Sequence, residues 1–265
     1  MQRISAYVRT LNSTFIQSFV PYLTTRTMAS NNDAKTSFEN KKQEYMNMSL
    51  EERKKSFKST TKSINEIPTW AEYWFKNKSI ISVKVSNQNA KAGMDVAKKI
   101  SFWMGDITTL EVDAIVNAAN SVLIPGGGVD GAIHKAAGPY LKMECATLGR
   151  CPAGEAKITG GYSLPAKYVI HTVGPVGKIP EVLEKCYKNC LDLAKVYGLR
   201  TIAFPCISTG VYGYPQEAAA RVALSTVTNY LINDIDSMDR VIFCLFLNSD
   251  KEIYEKLLPS YFDLN

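Results

Sequence analysis

The feature that most constrains this chain is the alternation of apolar and amphipathic segments that begins at residue 100. Five segments are apolar at nearly every position: "ISFWMG", "VDAIVNAA", "YVIHTVG", "TIAFPCI" and "RVIFCLFL". Strands with that pattern are covered on both faces, as in parallel sheets. Segments with apolar residues at helical spacing lie between them, so the pattern predicts an α/β sandwich with a largely parallel central sheet.

Two of the predicted helices have clear boundaries. The segment "PEVLEKCYKNCLDLAKVYG" ends at Gly198, a typical C-terminal cap, and "PQEAAARVALSTVTNYL" begins with Pro215, which suits a first helical turn. In sheets of this kind, ligands bind where the carboxyl ends of the strands lead into loops. The candidate functional residues are therefore sought in those loops.

The excess positive charge of the chain lies entirely in its N-terminal part. The net charge is +3 for residues 1–32, +6 for residues 33–100 and −3 for residues 101–265. A nucleic-acid-binding domain usually carries its own basic patch, and by net count the α/β part does not. Binding through the basic extension is the alternative, and a steep loss of affinity with salt would reveal it.

The first 98 residues divide into two regions. Residues 1–32 are rich in Ser, Thr and Arg and contain no acid, which is typical of a mitochondrial transit peptide; a disordered tail is the alternative. Residues 33–98 are predicted to be a helical extension that ends in a linker, "SNQNAKAG". Within it, "MSLEERKKSFKS" predicts a helix capped by Ser49, and "IPTWAEYWF" predicts an aromatic stripe that packs on the main body. That stripe comprises Trp70, Tyr73, Trp74 and Phe75.

The composition also predicts which partners the chain lacks. Its six cysteines show no disulfide rhythm, and its two histidines, His134 and His171, form no ligand pairs of the kind that a zinc site needs. No apolar run approaches eighteen residues, so we expect no membrane-spanning segment. We expect neither a metal nor a cofactor.

A glycine-rich segment, "VNAANSVLIPGGGVDG", follows the second predicted strand. Its glycines match the G-x-G-x-x-G pattern of dinucleotide-binding folds, but "NSVLIP" intervenes after the strand and no acid closes a second strand about twenty residues on. Backbone N–H groups of Gly126 to Gly128 and a helix starting near Val129 are nevertheless suited to hold a phosphate. The alternative is a glycine turn needed only for packing.

A second loop of this type, "CISTGVYGYP", follows the strand "TIAFP" and precedes a predicted helix. Ser208, Thr209, Gly210 and Gly213 can present hydroxyl and backbone N–H groups to another phosphate oxygen. Two such loops predict a ligand with two adjacent phosphates, a pyrophosphate.

Three polar residues near the first loop are candidates for chemistry. Asp130 and His134 are four residues apart and share a helical face, and a carboxylate beside a phosphate site suits an uncharged hydroxyl or a water. His134 would orient Asp130 or tune its pKa; a satisfied helix histidine is the alternative. Asn120 would bind sugar hydroxyls, with a turn residue as the alternative.

The ends of the outer strands supply two further candidates. Asp106 follows a strand and can accept a hydrogen bond from an exocyclic amine of adenine, or cap a short helical turn. Phe246 would stack on a base at the end of its strand, with core packing as the competitor. His171, which is flanked by apolar strand residues, is interpreted as structural.

Three long segments together resemble the macrodomain family, specifically its MacroD-type hydrolases. They are "GDITTLEVDAIVNAANSVLIPGGGVDGAIHKAAG", "GEAKITGGYSLPAKYVIHTVGP" and "FPCISTGVYGYP", and the likeness runs over about three-fifths of the chain. The resemblance implies a three-layer α/β/α fold with a mixed, largely parallel sheet over residues 99–265. The helical extension also looks like the N-terminal region of that branch.

The resemblance implies that the chain binds ADP-ribose, removes mono-ADP-ribose from Asp and Glu side chains of proteins and deacetylates O-acetyl-ADP-ribose. We expect a monomer, with nucleic acid a partner only when it is ADP-ribosylated. Asn120, Asp130 and His134 would act at the distal ribose. The implied substrate-binding residues are Asp106, Ile107 and Thr108 at the adenine, Ala118, Ala119, Pro125, Gly126, Gly127, Gly128 and Val129 in the first loop, Ser208, Thr209, Gly210, Val211, Tyr212 and Gly213 in the second, and Phe246. Pro125 departs from the family pattern, since relatives often have glycine there, and it removes a backbone donor.

The bond to be cut is an ester between a ribose hydroxyl and a carboxylate, so no metal is required. Asp130 would activate a water directly, or position one that a substrate phosphate deprotonates. A binding module that reads ADP-ribose without cleaving it is the competing hypothesis, because one fold hosts both functions. The presence of Asn120, Asp130 and His134 together favours the enzyme.

Overall fold

The protein is described by a computed structural model over residues 37–79, 81 and 92–264. The predicted transit peptide and most of the predicted linker lie outside these residues. The N-terminal extension contains helix α1 (residues 37–47), helix α2 (Leu50–Ser56), the short strand β1 (Lys62–Ser63) and helix α3 (Trp70–Asn77). No helix in the described part of the chain is long and apolar enough to cross a membrane.

The α/β part follows, and its elements alternate as the sequence predicts. In chain order they are α4 (Met94–Ala97), β2 (Ile100–Met104), β3 (Leu110–Glu111), β4 (Ala114–Ala118), α5 (Gly128–Ala137), α6 (Pro139–Thr147), β5 (Ala156–Gly160), β6 (Tyr168–Thr172), α7 (Pro180–Val196), β7 (Thr201–Phe204), α8 (Gln216–Asn233), β8 (Arg240–Leu245) and α9 (Asn248–Leu257).

The central sheet has six strands in the order β2-β8-β7-β4-β6-β5. Every neighbouring pair is parallel except β5 and β6, so the sheet is mixed and largely parallel, which confirms the predicted fold class. The sequence did not predict β5. This edge strand is only half-buried over its first three residues, so it lacks the continuous apolar run that marks the others.

The two faces of the sheet carry separate apolar cores. Ile115 and Val169 belong to the core that includes Ile133 of α5 and Leu141 of α6. The next residues along the same strands, Val116 and Ile170, belong to the other core, whose helical residues come from α3, α4, α7, α8 and α9. Alternate side chains of each strand thus pack against different helices, which produces three layers.

The helix boundaries agree closely with the caps in the sequence. Ser49 forms a capping box with Glu52, and Gly198 follows α7 with a left-handed φ of 66° that favours glycine. Pro215 lies one position earlier than predicted, because it is the N-cap of α8 and the helix begins at Gln216.

The aromatic segment of the extension packs into the main core, except for one residue. The Trp70 side chain is 1% exposed, and its ring lies 6.4 Å from that of Phe102 on β2 and 6.4 Å from that of Phe262. Phe75, predicted to share this stripe, is 48% exposed, and the ammonium group of Lys78 lies over its ring. The prediction was wrong for Phe75 because helical rotation carries that position away from the face of Trp70.

A buried ion pair ties α1 to the edge of the sheet. Glu144 on α6 is 4% exposed, and its carboxylate accepts hydrogen bonds from the Gly160 N–H at 2.9 Å and the Tyr162 hydroxyl at 2.7 Å. The ammonium group of Lys42 completes this set at 2.5 Å. The extension thus supplies the positive charge for a carboxylate inside the α/β part.

The register of the sheet brings the predicted site segments to one edge. Met104 of β2 pairs with Leu245 of β8, so Asp106 and Phe246 follow neighbouring strand ends. The two predicted glycine loops follow β4 and β7, which also pair with each other. Since all four strands are parallel, the loops that follow them lie at the same edge of the sheet, the one formed by the carboxyl ends of the strands.

We expect Trp70→Ala to destabilise the whole α/β part. Removing this fully buried ring costs about 3–5 kcal/mol in a core that cannot collapse around the cavity. Phe75→Ala is the matched control on the same helix and should change the free energy of unfolding by less than about 0.5 kcal/mol. Urea unfolding followed by tryptophan fluorescence measures both; equal effects for the two variants would contradict the packing of α3 on the sheet.

Candidate functional site

The first glycine loop connects β4 to α5 and folds back over the first turn of that helix. Gly128 begins the helix with a left-handed φ of 58°. A Cβ at Gly131 would lie 2.6 Å from the carbonyl oxygen of Gly126, so only glycine permits this close approach. No side chain in the described residues caps α5, which leaves its first-turn N–H groups and the positive end of its dipole available to an anion.

Asp130 lies in the first turn of α5 and points inward. Its side chain is buried, its Oδ2 accepts a hydrogen bond from the Gly126 N–H at 2.5 Å, and its Oδ1 accepts one from the Asn117 amide at 2.6 Å. The N–H of Gly126, predicted to contact a phosphate, is thus directed at Asp130 in this structure. Each carboxylate oxygen retains a second lone pair that can accept a further hydrogen bond.

His134 lies one turn further along α5, with its Nε2 3.6 Å from Asp130 Oδ1. Its ring is 7% exposed, and neither ring nitrogen has a hydrogen-bond partner among the described residues. Burial lowers the pKa of His134 below 6.5, while the charge of Asp130 opposes the shift and that of Lys142 reinforces it. The imidazole beside Asp130 is therefore neutral at physiological pH.

Asn120 shapes the loop that leads to Asp130. Its side-chain oxygen accepts hydrogen bonds from the N–H groups of Val122 at 3.2 Å and Ile124 at 3.3 Å, and its amide donates to the Ile124 carbonyl at 2.6 Å. This is the behaviour of a turn residue. A Cβ at Gly126 would lie 3.6 Å from the same amide nitrogen and 3.0 Å from Oδ2 of Asp130, so both side chains border Gly126.

The neighbours of these residues differ in exposure. Pro125, Gly126 and Gly127 are exposed and Val129 is half-buried, so this part of the loop faces solvent. Ala118 is half-buried at the end of β4, and Ala119 is buried, with its N–H bonded to the Thr172 carbonyl at 2.9 Å. The two alanines thus connect the sheet to the loop.

The second glycine loop follows β7 and forms a compact turn. Ser208 has a left-handed φ of 67°, and its carbonyl accepts a hydrogen bond from the Tyr214 N–H at 3.0 Å. Its hydroxyl is buried and has no partner in the described part of the chain. Thr209 donates its hydroxyl to the Cys206 carbonyl at 3.0 Å, and the Gly213 N–H bonds to Gly210 at 2.9 Å.

The tip of this loop is open. Gly210 and Val211 are exposed and Tyr212 is half-buried, and no described residue accepts a hydrogen bond from the backbone N–H of any of the three. Together with the unpaired Ser208 hydroxyl, these donors suit an anion with several oxygens. The geometry thus agrees with a phosphate-binding loop.

A glycine that the sequence did not single out allows the loop after β6 to approach the second glycine loop closely. A Cβ at Gly174, just after β6, would lie 2.0 Å from the Ser208 hydroxyl oxygen and 2.7 Å from the Ile207 side chain. The Gly177 N–H also donates to the Tyr212 carbonyl at 2.7 Å. The signal in the sequence was a third strand that ends in glycine and proline, "HTVGP".

The outer strands place Asp106 and Phe246 at the surface. Phe246 is 81% exposed at the end of β8, which excludes the core packing that competed with base stacking. Asp106 is exposed, and its Oδ1 caps the following turn by accepting from the Thr108 N–H at 2.9 Å and hydroxyl at 2.7 Å. The side chains of Ile107 and Thr108 are buried, so that turn offers mainly its backbone and the Asp106 carboxylate.

The role of Asn117 was not evident from the sequence. Besides its bond to Asp130, its amide nitrogen lies 3.1 Å from Nδ1 of His171, its neighbour in the sheet register. Burial, reinforced by His134, lowers the pKa of His171 to about 3, so that ring is neutral. His171, interpreted as structural from the sequence, thus contacts a residue that binds Asp130.

Metal ligands are not clustered at the site. Over residues 37–79 and 92–264, no group of three or more His, Cys, Asp or Glu side chains is arranged to hold a metal ion.

Comparison with known proteins assigns the fold to a family. The sequence profile described as "Macro domain" matches residues 116–223. The ADP-ribose glycohydrolase MACROD1 of Rattus norvegicus is 50% identical over 205 residues, which cover 75% of this chain and 78% of the relative. The chain belongs to the macrodomain family. The resemblance of its motifs to that family is thereby confirmed.

Two further matches extend this comparison. The ADP-ribose glycohydrolase MACROD2 of Xenopus laevis is 48% identical over 241 residues, which cover 89% of this macrodomain chain but 57% of the relative. The chain thus spans little more than half the length of that curated relative. A Trypanosoma brucei macrodomain solved in complex with ADP-ribose is 38% identical, with a TM-score of 0.61 over 78% of this chain and 94% of that one.

We expect the two histidines of this macrodomain to titrate below their usual range. His134 should have a pKa below 6.5, and His171 should stay neutral until about pH 3. In Asp130→Asn the pKa of His134 should fall further, because the carboxylate charge that opposes the shift is lost. Nuclear magnetic resonance of the two imidazoles, assigned with a His171→Asn variant, measures both values.

The same shifts set how stability depends on pH. The unfolded chain binds protons at histidine near pH 6.5, while the folded chain does not, so the free energy of unfolding should decrease as pH falls below about 6.5. A His134 pKa at or above 6.5 would contradict the buried, unpartnered geometry of its ring.

Proposed function

We propose that this macrodomain binds ADP-ribose and hydrolyses the ester that links it to acidic side chains of proteins or to acetate. The relatives named ADP-ribose glycohydrolases and the related macrodomain solved with ADP-ribose support this proposal. The observation that carries it is the position of Asp130. This buried carboxylate lies beside the uncapped N-terminus of α5, at the same edge of the sheet as the second glycine loop, because β4 and β7 are parallel.

The ligand would lie along the carboxyl ends of the strands, in the order that the sheet imposes. Phe246 and Asp106, on the neighbouring strands β8 and β2, would hold the adenine by stacking and by a hydrogen bond to its amine. The first-turn N–H groups of α5 and the open backbone donors of residues 210–212 would bind the diphosphate. The distal ribose would then lie next to Asp130 and Asn120.

The proposed reaction is attack of water on the carbonyl carbon of the ester. A water bound to the second lone pair of an Asp130 oxygen gives its proton to that carboxylate, or to a substrate phosphate, as its oxygen adds to the carbonyl. The tetrahedral intermediate then expels the ribose oxygen, which takes up the proton that the Asp130 carboxylate or the phosphate accepted, so that the hydroxyl and the free carboxylic acid are released. Deacetylation of O-acetyl-ADP-ribose breaks the same kind of bond, so the same groups suffice for both substrates.

His134 contributes to this reaction as a neutral ring. A cationic imidazole 3.6 Å from Asp130 would stabilise the negative charge of the carboxylate and so make it a weaker base. A neutral imidazole leaves the carboxylate free to accept a proton. Its unpaired nitrogens can accept from or donate to a substrate hydroxyl. The geometry favours a hydrolase over a module that only reads ADP-ribose, since a reader has no need of a buried carboxylate beside the diphosphate.

We expect Asp130→Ala to abolish release of ADP-ribose from a protein that is mono-ADP-ribosylated on glutamate. Loss of a general base lowers the rate about 10²-fold or more, while the phosphate-binding groups remain in place. Single-turnover release, followed by chromatography of free ADP-ribose, measures the rate, and calorimetry with ADP-ribose measures binding.

A serine-linked ADP-ribosyl protein is the matched control substrate, since its acetal lacks the ester carbonyl that water attacks. It should not be cleaved. If the wild-type protein binds ADP-ribose but releases none from the glutamate ester, the chain is a reader and the assignments of Asn120, Asp130 and His134 are wrong.

We expect Phe246→Ala to weaken ADP-ribose binding without affecting the fold. Stacking of a base on an aromatic ring contributes about 1–3 kcal/mol, which corresponds to a loss of affinity of roughly 5-fold to 150-fold. Val196→Ala is the matched control, because Val196 is also 81% exposed and lies at the end of α7. Calorimetric affinities that are equal for the two variants would rule out adenine stacking on Phe246.

We also propose that residues 1–30 direct the chain to mitochondria. The composition of that segment supports this, since it holds three arginines and no acid. Fusion of residues 1–32 to a fluorescent protein tests it. Diffuse fluorescence in the cytoplasm and nucleus would favour the alternative of a disordered tail.

A further inference from the structure

Asp130 depends for its orientation on a chain of buried polar side chains that crosses three strands. Its Oδ1 is bonded to the Asn117 amide at 2.6 Å, and the same amide nitrogen lies 3.1 Å from Nδ1 of His171. Nε2 of His171 lies 2.9 Å from the hydroxyl oxygen of Thr159 on β5. All four side chains are buried, and Asn117, Thr159 and His171 have no exposed surface at all.

The hydrogen positions along this series of hydrogen-bonded side chains follow from the Asp130 carboxylate. A carboxylate only accepts, so the Asn117 side chain must direct its NH₂ group, and not its oxygen, at Asp130. The second proton of that NH₂ group then faces His171, whose Nδ1 must be the acceptor. The proton of the neutral imidazole is therefore on Nε2, where the Thr159 hydroxyl accepts it.

At the edge strand, the last side chain of this series, Thr159, is held by a backbone carbonyl. The Thr159 hydroxyl lies 3.2 Å from the carbonyl oxygen of Gly160, to which it can donate once it has accepted from His171. The sheet register sets the spacing, because Asn117 pairs directly with His171 and β6 pairs with β5. The donated hydrogens thus point outward from the Asn117 amide, to Asp130 on one side and through His171 and Thr159 towards the edge strand on the other. Two weaker contacts flank this path, since the Val169 carbonyl lies 3.5 Å from the Thr159 hydroxyl and Cys145 Sγ lies 3.7 Å from His171 Nε2.

We propose that Asn117 and His171 are positioning residues, which hold the Asp130 carboxylate in the orientation for attack on the ribose-linked ester. This inference rests on the proposed hydrolysis. A buried carboxylate with only the Gly126 N–H as a donor could rotate about its side-chain bonds, and the second bond from Asn117 removes that freedom. A displacement of about 1 Å in a reacting group can cost on the order of 100-fold in rate.

A positioning role predicts a specific pattern of kinetic effects. Asn117→Leu keeps the size of the side chain and removes the donor, so kcat for release from the glutamate ester should fall at least tenfold. The affinity for ADP-ribose should change by less than about threefold, because the diphosphate loops and Phe246 are untouched. Asn117→Asp should also move the acid limb of the kcat profile to higher pH, since two adjacent carboxylates ionise less readily than one.

Two substitutions of His171 separate positioning from packing. His171→Asn places a side-chain oxygen near the former Nδ1 and retains an acceptor for Asn117, whereas His171→Leu does not. We expect His171→Leu to lower kcat about tenfold and His171→Asn to restore it to within about threefold of the wild type. Ile170→Val is the control, because it thins the core on the opposite face of the same strand and should leave kcat unchanged.

The test is read together with a measurement that does not depend on turnover. In the wild-type protein, nitrogen resonances of His171 should show a proton on Nε2, and in Asn117→Leu the Nδ1 resonance should shift towards that of a free acceptor. A proton on Nδ1 would overturn the proposal, as would an Asn117→Leu variant with wild-type kcat or a His171→Asn variant no better than His171→Leu. If the wild type released no ADP-ribose, the proposed function would fail, and the nitrogen resonances would still decide whether this chain of hydrogen bonds exists.

Discussion

The carboxylate of Asp130 is the point at which three parts of this macrodomain meet. One oxygen is bonded to the backbone of the first glycine loop and the other to Asn117 in the middle of the sheet, while the residue itself lies in the first turn of α5. A buried charge is tolerated only when its hydrogen bonds are satisfied. The shape of the loop, the position of the helix and the polar residues of the strands therefore depend on each other.

Close packing around the Asp130 carboxylate also explains the glycines, whose pattern in the sequence predicts phosphate binding. Gly131 is needed because the loop passes within contact distance of the helix. At Gly126 a Cβ would lie 3.0 Å from Oδ2 of Asp130, the oxygen that the Gly126 N–H binds, so glycine relieves crowding there. Gly174 has a similar role beside the second loop, where any side chain would collide with Ser208. Packing and binding are therefore not competing explanations for these residues, since close packing is what places the donors at the edge of the sheet.

Much of this arrangement was predictable from sequence because it follows from local patterns. Continuous apolar strands, helix caps such as Ser49 and Gly198, and glycine loops after strands each act over a few residues. The edge strand β5 was missed because it is half polar, and Phe75 was misplaced because an aromatic cluster does not reveal which side faces the core. The contact between Asn117 and His171 joins residues 54 positions apart, and that between Lys42 and Glu144 joins residues 102 positions apart. No local sequence pattern predicts contacts over such separations.

The ion pair between Lys42 and Glu144 has a consequence for the edge of the sheet. The stem of Lys42 and the terminal methyl group of Met46 pack against Gly160, at the end of the edge strand β5. Unprotected edge strands are templates for pairing with other chains, and proteins commonly cover or charge them. The extension thus covers the last residue of this edge strand with side chains, where an open edge would present bare backbone.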